Sequence, residues 1–102
     1  RSQSLPLLPG ALGLAERGTF SGGMGRNRSH LEETFGARGR FVVDGGVPEA
    51  LVKLLCESET SGGLLFAVDA GRVAQVRAGF ERAGEPIWEV GEVTQDARLR
   101  VL

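Results

Sequence analysis

Cysteine, histidine and long apolar runs are all scarce in this sequence, and each scarcity removes a class of explanation. With a single cysteine, Cys56, no internal disulfide can form, and with a single histidine, His30, no Cys/His zinc site can be assembled. The longest uninterrupted apolar run, Leu64 to Val68, is far too short to cross a bilayer. The first residues also lack the basic flank, apolar stretch and small-residue cleavage site of a signal peptide, so the expected compartment is the cytoplasm. An excess of one charge is missing too. Twelve basic and 13 acidic side chains leave a formal net charge of −1 without long blocks, which provides no electrostatic footprint for nucleic acid or anionic lipid. Neither nucleic acid nor membrane is expected as a partner, and any anion must be bound locally.

What is abundant is glycine. Its 16 residues are more than twice the usual share, have no repeating period and gather in a few places, so loops carry the information. A chain of 102 residues has room for one compact domain, taken as residues 1–102. It opens at Arg1 without an initiator methionine and reads as a fragment of a larger protein.

The order of elements follows from periodicity and punctuation. Residues 1–8 read as an extended lead-in. Pro9 suits a first helical turn, and Ala11, Leu12, Leu14 and Ala15 continue a short helix to Gly18. Thr19 to Asn27 reads as a flexible glycine loop, and a second helix follows it, capped by Asn27 or by Ser29 in a Ser29-x-x-Glu32 capping box. Phe41–Val43 is β-prone and closed by a turn at Asp44-Gly45-Gly46. Pro48 opens a helix ending near Cys56, with Val47, Leu51, Leu54 and Leu55 as its buried stripe. After the loop from Glu57 to Gly63, Leu64–Val68 reads as a strand covered on both faces, because no polar residue alternates within it. Asp69 is placed to cap a helix carrying Val73, Val76, Phe80 and Ala83, with Arg77 and Glu81 pairing on its wet side and Gly84 and Pro86 ending it. Strands are expected at Ile87–Val93, with Trp88 as core or interface packing, and at Arg98–Leu102. Together these predict an α+β fold, a layered α/β sandwich with a small mixed sheet ending in a tight strand pair.

Two stretches are more specific than secondary structure. The first runs Leu5-Pro6-Leu7-Leu8-Pro9-Gly10-Ala11-Leu12 and on to Ser21-Gly22-Gly23-Met24-Gly25-Arg26-Asn27; the second is Glu59-Thr60-Ser61-Gly62-Gly63-Leu64-Leu65-Phe66-Ala67-Val68. In this order and separation they resemble the C-terminal domain of selenophosphate synthetases, within the aminoimidazole ribonucleotide synthetase-like superfamily; Val90-Gly91-Glu92-Val93 resembles that family's ending. Met24 stands where the family usually has Thr, and Glu57-Ser58-Glu59 replaces its common D-P-Q. The resemblance implies one part of an enzyme that converts ATP, selenide and water into selenophosphate, AMP and orthophosphate. It further implies ATP and Mg2+ as cofactors of the full-length enzyme, none bound by this chain alone. The implied partners are an N-terminal domain of the same polypeptide, which carries the nucleophile and metal ligands, and a second subunit in a homodimer.

On that resemblance no catalytic residue and no metal ligand is expected here, and the isolated chain should not turn over. Cys56 takes an apolar position before the Thr-Ser-Gly-Gly loop and has no neighbouring base. The expected nucleotide- or phosphate-proximal residues are Gly22, Gly23, Asn27, Thr60, Ser61, Gly62 and Gly63. For 21–27 the functional reading is an anion-binding nest of backbone amides at left-handed glycines, and the structural reading is a helix-connecting loop. For 60–63 the glycines either let backbone approach phosphate or let the chain enter a strand beside another backbone. Arg26 and Arg28 are candidate phosphate neutralisers, and His30 is a surface residue. Two other readings stay open: another ATP-using enzyme of the superfamily, and a non-catalytic dimerisation or interaction module.

Overall fold

A computed structural model describes residues 1–59 and 61–102, with the backbone alone for Arg38. Its elements are α1 (Ala11–Glu16), α2 (Gly22–Thr34), β1 (Phe41–Val43), α3 (Glu49–Leu55), α4 (Val73–Ala83) and β2 (Leu99–Val101). The class is the α+β one expected. Single 3-10 turns lie at Ser2–Ser4, Gly36–Arg38 and Ala70–Arg72, the first within the lead-in that was expected to be extended throughout.

Local chemistry accounts for most helix ends. Pro48 sits at the N-cap of α3, and Glu49 in its first turn and Lys53 in its last complement the helix dipole. Gly84 closes α4 in a left-handed conformation at φ 70°, which glycine adopts without a Cβ penalty. α1 and α2 both pack on α3. The buried apolar residues are Ala15 of α1, Leu51 and Val52 of α3 and the adjoining Cys56. Val52, only 2% exposed, anchors this cluster, and burying a side chain of its size is worth about 1.5–3 kcal/mol.

β1 and β2 form a two-stranded parallel sheet with Phe41 opposite Leu99, Val42 opposite Arg100 and Val43 opposite Val101. The expected tight pair at the end of the chain is therefore replaced by a long-range pairing. The Arg40 carbonyl accepts from Leu99 N at 2.6 Å, and Asp44 N donates to the Val101 carbonyl at 2.9 Å. The first turn of the chain joins the same end, since Ser2 donates from both its amide and its hydroxyl to the Leu102 carbonyl.

Several expected elements differ. Gly22 to Asn27 is not a loop but the first half of α2, capped by Ser21 rather than by Asn27 or Ser29, so the Ser29-x-x-Glu32 spacing falls inside the helix. Leu64–Val68 and Ile87–Val93 are not strands, and Leu64 (93% exposed), Leu65 (86%) and Trp88 (53%) lie open to solvent. Arg77 reaches Glu89 at 2.7 Å in place of Glu81, because the 87–90 segment runs past α4. Asp69 precedes the turn leading into α4 without a side-chain capping bond.

The surface is large for the mass. The chain exposes 7871 Å², whereas a compact monomer of 10.8 kDa exposes on the order of 5,500 Å². The radius of gyration, 15.2 Å, likewise exceeds the roughly 13 Å of a compact chain of this length.

Candidate functional site

The helix start at Ser21 and the segment after α3 meet face to face. Ser21 caps α2 by accepting from Gly23 N at 3.2 Å, the ordinary answer to the unpaired amides of a first helical turn. Its own amide donates to both carboxylate oxygens of Glu57, at 3.1 and 3.2 Å. One turn further on, Asn27 Nδ2 donates to the Cys56 carbonyl at 2.9 Å and to Ser58 Oγ at 3.2 Å. The first motif is thereby tied to residues 56–58, the segment just before the second, across 29 to 36 positions of chain.

Glycine is required at Gly23 by this closeness. A Cβ built there would stand 3.1 Å from Ser58 Cβ and closer still to Ser58 Oγ, so α2 and the 56–58 segment approach only because no side chain intervenes. The left-handed nest does not form: the positive-φ glycines are Gly10, Gly18, Gly39 and Gly84, and Gly22 and Gly23 have helical backbone instead. Gly22 has nothing within 4 Å of its Cβ direction, and the same is true of Gly63.

Gly62 and Gly63 line an open cleft of ≈ 430 Å³ whose other walls are the lead-in at Leu5–Leu8, the end of α3, and the carboxylates of Glu57 and Glu59. Glu59 lies over Gly62, its Oε2 2.6 Å from where a Cβ would be. Among the described residues the amides of Gly22, Gly62 and Gly63 donate to no protein acceptor. Ser61 is exposed beside them, and Thr60 lies outside the described residues. Gly23 and Asn27 thus sit against Cys56–Ser58, and Gly62 and Gly63 share a cleft with Glu57.

Sequence reasoning missed Ser21 as a cap, Glu57 as the acceptor of its amide and Ser58 as a partner of Asn27. The signal for Ser21 was its place just before a helix start, hidden because Gly22, Gly23 and Gly25 read as loop. Arg28 is not free to neutralise phosphate: it pairs with Glu32 at 2.8 Å and with Glu49 of α3. These two hydrogen-bonded carboxylates hold its pKa above the usual guanidinium value, outweighing its partial desolvation. Burial pushes the Cys56 thiol up, against a weaker opposing pull from Arg28. A thiol so held is a poor nucleophile. Among the described residues no three His, Cys, Asp or Glu side chains converge.

The family model for the AIR synthase related protein, C-terminal domain, matches residues 22–102. The chain belongs to this family. It is 35% identical over 91 residues to the selenide, water dikinase of Cronobacter sakazakii, covering 89% of this chain and 24% of that protein. The selenide, water dikinase of Photorhabdus laumondii is 34% identical over 98 residues, covering 96% of this chain and 26% of its own length. That of Porphyromonas gingivalis is 37% identical over 86 residues, with 81% and 22% covered. The chain spans about a quarter of the length of these curated relatives. No solved structure matches it. No helix among the described residues is long and apolar enough to cross a membrane.

Proposed function

We propose that this AIR synthase-related domain is the C-terminal part of a cytoplasmic selenophosphate synthetase, forming one wall of its nucleotide cleft. The reaction is the ATP-dependent conversion of selenide and water into selenophosphate, AMP and orthophosphate. The observation that supports the reading is the cleft in which Gly62 and Gly63, whose amides meet no protein acceptor among the described residues, lie beside Glu57, which receives the Ser21 amide at the start of α2. The names of the relatives supply the reaction.

Phosphoryl transfer asks a protein chiefly to position groups and stabilise charge. Backbone amides at Gly22 and Gly63, with open space beside both, and the Ser61 hydroxyl are suited to hydrogen-bond phosphate oxygens, and Gly62 joins them once the Glu59 side chain that lies over it swings aside. Thr60 adds a second hydroxyl in the same reading, and Gly23 and Asn27 hold the wall in shape. Magnesium in the whole enzyme supplies charge neutralisation on the phosphates; its ligands, with the nucleophile, belong to the N-terminal portion of the polypeptide. Two such polypeptides form the working homodimer.

The test is selenide-dependent AMP formation by the full-length polypeptide with Gly63→Val. A rise in the KM for ATP with the fold intact supports the cleft wall. Unchanged KM and kcat reject it.

A further inference from the structure

Leu64 to Val68 has the composition of an interior strand and the surroundings of neither an interior nor a strand. Five consecutive apolar residues carry no polar alternation, the pattern of a strand covered on both faces. Among the described residues their backbone groups make no hydrogen bond, and Leu64 and Leu65 are almost wholly in water. Phe66 alone has found a partner: its ring stacks on Phe80 of α4 at 6.2 Å between centroids. Phe66 thus leans on α4 and Val68 is half-buried, while Leu64, Leu65 and Ala67 leave an apolar face bare.

We infer that Leu64–Val68 is a docking strand for the rest of the longer polypeptide, which adds backbone alongside it and covers its bare face. This rests on the proposed function, which requires that remainder. The chain accounts for about a quarter of its relatives' length, so such a polypeptide has ample material to supply. The area agrees. The exposed 7871 Å² exceeds that of a compact chain by roughly 2,000 Å², the scale on which permanent interfaces bury surface. A second copy of this chain is the poorer occupant. Related by a two-fold axis it would present the same segment, pair one edge, and leave the other edge and an apolar face in water. A tethered remainder also acts at high effective concentration.

The experiment is amide hydrogen exchange at Leu65, Phe66, Ala67 and Val68, in this chain alone and in the longer polypeptide, each with and without Leu65→Pro. These amides should exchange freely in the chain alone and at least about a hundredfold more slowly in the longer polypeptide. L65P should lower the Tm of the longer polypeptide and leave that of the chain alone unchanged. Equal, fast exchange in both proteins would overturn the inference, as would protection in the chain alone that does not depend on concentration. Protection that rises with concentration together with a doubled mass would also overturn it, making a second copy the occupant. Exchange is read without turnover, so a longer polypeptide that protects the segment but makes no AMP from selenide defeats the proposed reaction and leaves the docking strand standing.

Discussion

Gly23 and Ser58 come together so closely that the hydrogen on the Gly23 α-carbon occupies space no methyl group could take. Gly23→Ala should therefore cost about 1–3 kcal/mol, the usual penalty of forcing extra volume into a packed contact. Ser58→Gly in the same chain should recover most of the loss. Gly22→Ala, one residue away with open space around it, should be neutral or stabilise by up to about 1 kcal/mol through better helix propensity. Urea denaturation of the four proteins checks the pattern.

The glycine motif on one side of this contact was legible in the sequence, and its partner Ser58 was not. The motifs at 21–27 and 60–63 stood out by composition, but three glycines in six residues obscured a helix whose cap, Ser21, and tertiary partners outweigh poor propensity. α1, α3 and α4 were readable because their apolar residues recur at helical spacing and Gly18, Pro48 and Gly84 punctuate them. β1 was readable as a short β-prone run. Its parallel partner was not, because pairing across some 58 positions leaves no local mark. The Leu64–Val68 strand was assigned from apolarity alone, which reports what a segment demands and not whether its neighbours meet the demand.

Asn27 offers a sharper test than simple removal. Asn27→Ala loses donors to the Cys56 carbonyl and Ser58 Oγ and should cost about 1–2 kcal/mol. Asn27→Asp sets a carboxylate against that carbonyl and should cost more near neutral pH. The deficit should shrink as the pH falls and the new side chain takes up a proton, becoming a donor again. Thermal melts of the variants between pH 4 and 8 would reveal the convergence.

Glu57 satisfies the Ser21 amide with both oxygens. Replacing it by Ala should destabilise the chain by about 0.5–1.5 kcal/mol, and replacing it by Gln by less, because the amide oxygen still accepts while the charge beside the helix start is gone. Added salt should narrow the gap between wild type and Gln by screening that charge. Chemical denaturation at low and high ionic strength is the measurement.

Cys56 is buried and its thiol is held above the ordinary value by burial. Native chain should resist iodoacetamide where urea-unfolded chain reacts readily, as mass spectrometry of the alkylated product would show. Because the folded value is the higher one, this thiol's contribution to stability is whole below the unfolded thiol's pKa. It is lost as pH rises from there through the folded value.

The pairing of Phe41 with Leu99 carries a consequence for how the protein is made. While a ribosome is still adding residues 44 to 98, β1 has no partner to bind, and sheet closure waits until residues 99 to 101 have left the exit tunnel. A premature stop anywhere before residue 99 leaves β1 without its partner strand.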